Sequence, residues 1–70
     1  MKNSIKVERA KKNITQAELA RLAKVSRQTI NAIELGKYVP STVLSLRLAS
    51  IFEVDVGDIF TLEEGDWEKN

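Results

Sequence analysis

The sequence predicts an all-α protein, a compact bundle of about five helices. Three observations predict it. Apolar residues recur three and four apart along most of the chain, the spacing of one face of a helix. Helix-starting residues stand before these stretches at Thr15, Ser26, Ser41 and Asp55. Breakers are few, and Gly36, Pro40, Gly57 and Gly65 are the main ones.

The elements follow in order. The first helix runs from about Ser4 to Lys12. Thr15 and Glu18 form a capping box, in which each side chain satisfies an orphan backbone N–H of the other. Ile14 and Leu19 staple that start, and the second helix spans Gln16 to Ala23. Ser26 caps the third helix, Arg27 to Leu35, with Val25 and Ile30 as its staple. Ser41, directly after Pro40, opens the fourth, Thr42 to Phe52. Asp55, stapled by Val54 and Ile59, opens a short fifth helix from Val56 to Phe60. Beyond it, "FTLEE" alternates apolar and polar residues and reads as a short strand or an extended tail. The predicted core is Leu19, Ala20, Ala23, Val25, Ile30, Ile33, Val43, Leu44, Leu48, Ile51, Phe52 and Ile59.

Composition narrows the chemistry. Seventy residues make one small domain, which buries only about 60% of the surface its unfolded chain exposes. Cysteine and histidine are both absent. That removes disulfides, thiolate and imidazole metal sites, Ser-His-Asp triads and Cys-His nucleophiles. No apolar run is long enough to span a membrane, and "MKNSIKVERA" lacks the apolar region of a signal peptide. The expectation is a cytoplasmic domain. The net charge of +1 hides an asymmetry: residues 1–47 carry ten Lys/Arg and three Glu, residues 48–70 one Lys and seven acids. A basic body with an acidic end suggests a polyanion-binding face, with the acidic end turned away or used otherwise. The bland alternative is a solvated mixture of charges.

The third helix makes the sharper case. Only Lys24, Val25 and Ser26 join it to the second, so the two cross steeply, and Ala20 is small enough for close approach. This is the helix-turn-helix unit. Successive residues step round a helix at 3.6 to the turn. Counted from Arg27 at that step, Asn31, Leu35 and Gln28 fall in that order within the same third of the circumference. Ile30 and Ile33 fall on the other side. Two isoleucines face inward, then, and a stripe of forked donors and amides faces out. Arg reads guanine O6 and N7, and Gln or Asn reads adenine N6 and N7. Those are the side chains a major-groove helix needs near its N-terminal end. Leu35 in that stripe is either a contact for a thymine methyl or plain surface.

The stretch "ITQAELARLAKVSRQTINAIELGKYVPS" resembles the DNA-binding domain of the phage lambda and 434 repressors and Cro. It is closer still to the short bacterial and archaeal XRE-type regulators. The resemblance covers about residues 3 to 62 and rests on T-Q-x-E-L-A, V-S-R-Q-T-I and I-E-x-G-K-Y-x-P-S. It implies a lambda-repressor-like fold over residues 1–62, followed by an acidic tail, 63–70. It implies a DNA-binding transcriptional regulator, a repressor or autoregulator, with double-stranded DNA as partner. No cofactor, membrane or small-molecule effector is implied.

By the same resemblance, Gln16 contacts a phosphate or base and braces the recognition helix. Arg27, Gln28 and Asn31 reach base edges, and Lys37 and Tyr38 meet phosphates, with packing on the fourth helix as the other role for Tyr38. Arg9 and Glu34 match an ion pair tying the first helix to the third. A homodimer is implied as well, through Ile59, Phe60, Leu62 and Trp67. The sequence departs from the pattern at Lys24, where glycine is usual, and at Glu8, where an apolar residue is common and Val7 stands one place earlier. An antitoxin or a protein adaptor on the same fold is the rival reading, for which "EEGDWEKN" is a short tail. An enzyme lacks any acid–base pair in a predicted cleft. Single-stranded RNA binding lacks an exposed aromatic platform.

Overall fold

The computed structural model describes residues 1–68. The last two residues of the expected acidic tail, Lys69 and Asn70, lie outside them. Five helices form: α1 (Ile5–Lys12), α2 (Gln16–Ala23), α3 (Arg27–Glu34), α4 (Thr42–Phe52) and α5 (Val56–Ile59). Strand β1 (Lys2–Asn3) pairs antiparallel with β2 (Phe60–Thr61), Lys2 opposite Thr61 and Asn3 opposite Phe60. A 3-10 turn, Glu64–Trp67, follows.

The caps explain the starts. Thr15 Oγ1 accepts the Glu18 N–H at 3.1 Å, Ser26 Oγ accepts that of Thr29 at 3.1 Å, and Ser41 Oγ accepts that of Leu44 at 3.1 Å. At α5 the Asp58 carboxylate accepts the Asp55 N–H at 3.0 Å. Three helices end on a non-glycine residue in the left-handed region: Asn13 (φ 56°), Lys24 (φ 62°) and Glu53 (φ 58°). α3 ends differently. Leu35 is its cap rather than its last turn, and Gly36 takes the left-handed conformation at φ 75°. Gly36 N–H then donates to Ile33 O and Lys37 N–H to Ala32 O, which helps satisfy the carbonyls of the last turn.

The core is built from Leu19, Ala20 and Ala23 of α2, Ile30 and Ile33 of α3, and Leu44, Leu48, Ala49 and Phe52 of α4, closed by Ile5 and Ile59. Val25 and Ile51 pack against it, half-buried. Two expectations are corrected. Val43 is exposed, because α4 turns the arc from Leu44 through Phe52 to Ala49 inward and Val43 falls behind that arc. Phe60 does not extend α5; its backbone is extended (φ −116°, ψ 133°) because it pairs with Asn3. Ile5 and Ala49 are core residues beyond those predicted.

Candidate nucleic-acid interface

α3 lies across α2 with its apolar face spent: Ile30 and Ile33 are buried. Arg27, Gln28 and Asn31 all stand exposed on the opposite face. Lys37 and Tyr38, just past Gly36, are exposed too. Gln16, at the first turn of α2, is half-buried and reaches towards α3. The Gln16 amide, 3.1 Å from Asn31 Oδ1, joins the residue to the polar stripe. Along it run the N-terminal ends of α2 and α3, whose free N–H groups and dipoles favour an anion.

Beneath this surface sits a hydrogen-bonded network. Arg9 of α1 grips Glu34 of α3 with two bonds, Nε to Oε2 at 2.7 Å and Nη2 to Oε1 at 3.1 Å. Its Nη1 donates to the carbonyl of Ile14 at 3.1 Å. The forked geometry suits a guanidinium and a carboxylate, and the pair is largely withdrawn from solvent, with side-chain exposures of 15% and 7%. Burial alone would push the Glu34 carboxyl up. The bonds from Arg9 and Gln16, with the charges of Arg9 and Lys6, outweigh it and hold the group below its ordinary range. The bond to Glu34 raises Arg9, against its own burial. Gln16 Nε2 donates to Glu34 Oε1 at 3.1 Å and to Asn31 Oδ1 at 3.1 Å. The Gln16 amide is thus occupied as a donor within the domain, which leaves its carbonyl oxygen and the backbone N–H groups of α2 for an outside partner.

A second anchor escaped the sequence. Asn3 Nδ2 donates to the Ile33 carbonyl at 2.8 Å, and its Oδ1 accepts the Ile5 N–H at 3.3 Å. One residue thereby ties the C-terminal turn of α3 to the start of α1. An isolated Asn before a helix looks like a cap, so sequence alone gave no sign of this longer reach.

The four residues expected at a partner surface divide. Ile59 is 1% exposed and belongs to the core, so its side chain has no surface to offer. Phe60 is half-buried, whereas Leu62 and Trp67 are exposed. Phe60 also lines a shallow apolar groove with Val39, Pro40, Leu46 and Val56. Among the described residues no cluster of metal-ligating side chains occurs, and no helix is long and apolar enough to cross a membrane.

A helix-turn-helix family model matches residues 5–59, almost the whole bundle. The chain belongs to the helix-turn-helix family, of the XRE/Cro type. It is 50% identical over 66 residues, 94% of this chain and 100% of the relative, to an uncharacterized HTH-type transcriptional regulator of Methanocaldococcus jannaschii. It is 44% identical over 64 residues to the uncharacterized HTH-type transcriptional regulator YgzD of Bacillus subtilis, covering 91% of this chain and 97% of that one. To the ImmF control region 10 kDa protein of Bacillus phage phi105 it is 33% identical over 70 residues, covering 93% and 78%. Members of this family are DNA-binding regulators rather than enzymes, and α3 is the second helix of the helix-turn-helix unit.

Proposed function

We propose that this protein is a homodimeric transcriptional repressor or autoregulator that reads a near-palindromic operator through the major groove. It acts in the cytoplasm, at the nucleoid, without a cofactor. The observation that carries this reading is the face of α3: Arg27, Gln28 and Asn31 stand exposed together on a helix whose other side is locked into the core. Arg27 and Gln28 read base edges from the N-terminal end of α3, and Asn31 reads one turn further on. Lys37 and Tyr38 hold the phosphate backbone, with the N-terminus of α2 as a further phosphate seat. Lys37 acts as a point charge, and its contribution is independent of sequence.

The dimer is the part of this reading that concerns the far end of the chain. The apolar groove at Val39, Leu46, Val56 and Phe60, with Leu62 exposed beyond it, supports a twofold contact there. Two copies related by a twofold would set their recognition helices about one helical turn apart, ~34 Å, and require an inverted repeat in the DNA. The relative named for a phage control region supports a repressing role. In vitro selection of bound DNA from a random pool tests the whole reading. The expected winner is an inverted repeat with half-sites about ten base pairs apart centre to centre. A pool that shows no enrichment would favour a protein adaptor built on this fold.

A further inference from the structure

The buried ion pair and the exposed reading face are joined by a chain of hydrogen bonds whose direction is set at its inner end. Arg9 can only donate, and ionised Glu34 can only accept. Glu34 Oε1 takes one bond from Arg9 Nη2 and another from the Gln16 amide, each 3.1 Å. The Gln16 amide must therefore turn its NH2 inward. That same Nε2 lies 3.1 Å from Asn31 Oδ1, so one hydrogen serves each partner. Facing a donor, Asn31 must turn its carbonyl oxygen towards Gln16. Its own NH2 is the end left on the exposed side. An unconstrained Asn can present either end of its amide, since the two are nearly the same size. Here the choice is made two hydrogen bonds away, by a carboxylate that is 7% exposed.

We infer that Asn31 reads DNA in one polarity only, as a donor, and that Gln16 is the positioning residue that sets this polarity. The inference rests on the DNA-binding reading above. In the major groove guanine offers two acceptors, O6 and N7; thymine offers O4 and adenine N7. Cytosine offers only the donor at N4. An outward NH2 therefore favours guanine, tolerates thymine and adenine, and rejects cytosine on the contacted strand at one position in each half-site.

The test is a selection from a random DNA pool with the full chain and four variants. Asn31→Ala identifies the position, because it erases preference there alone. At that position the unaltered protein should enrich guanine over cytosine about tenfold or more. Asn31→Asp keeps an acceptor for Gln16 and turns a second acceptor outward, so cytosine should become the enriched base. Gln16→Met removes the bond while keeping the bulk. The preference at that position should then shrink to about twofold or less, while the preference at the position erased by Arg27→Ala is retained, whatever happens to overall affinity. Cytosine accepted as readily as guanine by the unaltered protein would overturn the inference, as would a Gln16→Met preference that does not change. A pool with no enriched sequence would instead overturn the DNA-binding reading. The relay still has its own check in the free protein, by NMR. The Gln16 side-chain NH2 should exchange with solvent far more slowly than that of Asn31, and equal rates would refute the relay.

Discussion

Glu34 accepts from Arg9 Nε, Arg9 Nη2 and Gln16 Nε2, so one carboxylate serves two other helices. Its removal strands a partly buried guanidinium and an amide. Glu34→Ala should therefore cost about 3 kcal/mol, the lower end for a broken buried pair, because Arg9 keeps an edge in water. Arg27→Ala, on the exposed stripe, should stay within about 0.5 kcal/mol. Urea unfolding of the two variants separates them, and equal midpoints would contradict the structural role. The pair also has a pH signature. Folding lowers the Glu34 pKa relative to an unfolded value of about 4.3. The stabilisation is therefore fully present above that value and is lost as pH falls through the folded one. Unfolding midpoints measured downward from pH 5 should fall more steeply for the unaltered protein than for Glu34→Ala. Lys24 carries a separate cost. Its φ of 62° and ψ of 42° lie in the left-handed region, which disfavours a residue with a Cβ by about 1 kcal/mol. Lys24→Gly should raise stability by up to about that amount, seen as a higher melting temperature. Glu53 has the same backbone but also meets Lys12 at 3.2 Å, so Lys24 is the cleaner site for the comparison.

On the scale of elements, the proposed binding divides between α3 and the loop after it. Arg27→Ala should relax base preference at one position per half-site and leave the salt dependence nearly intact. Lys37→Ala should weaken binding to every sequence and reduce the slope of log K against log salt by about one. Binding titrations across a salt series measure both, and matching effects from the two variants would refute the division. The same elements show what a sequence can disclose. Capped starts are local, and α2 and α4 have the bounds that their caps and periodicity predict. The face of α3 was legible because Ile30 and Ile33 are its clear inward pair. The face of α4 was legible only in part: Leu44, Leu48 and Phe52 turn inward as expected, but Val43, Leu44, Leu46 and Leu48 wrap the circumference with apolar side chains, and only packing decides that Val43 stays out and Ala49 goes in. β1 was hidden for another reason. Lys2 and Asn3 carry no strand preference, and their pairing depends on Phe60 and Thr61 at the other end of the chain. The resemblance implied that Gln16 braces α3, but not that Asn31 and Glu34 are its partners, because an amide's partner depends on how α2 and α3 cross.

For the molecule as a whole, the exposed polar stripe on α2 and α3 and the apolar groove of Val39, Pro40, Leu46, Val56 and Phe60 have no lining residue in common. Leu62 is the best probe of the second surface, since it is exposed and follows β2 directly. Leu62→Asp should shift sedimentation from dimer to monomer while leaving the far-ultraviolet spectrum unchanged, and an unaltered sedimentation coefficient would remove Leu62 from the contact. The antiparallel pairing of Lys2 and Asn3 with Phe60 and Thr61 has a consequence in time. β1 is made first, yet its partner strand lies near the other end of the chain. At roughly 5–20 residues per second, the wait from Asn3 to Phe60 is about 3–11 s. The pairing that joins the two ends is therefore among the last contacts available to the growing chain.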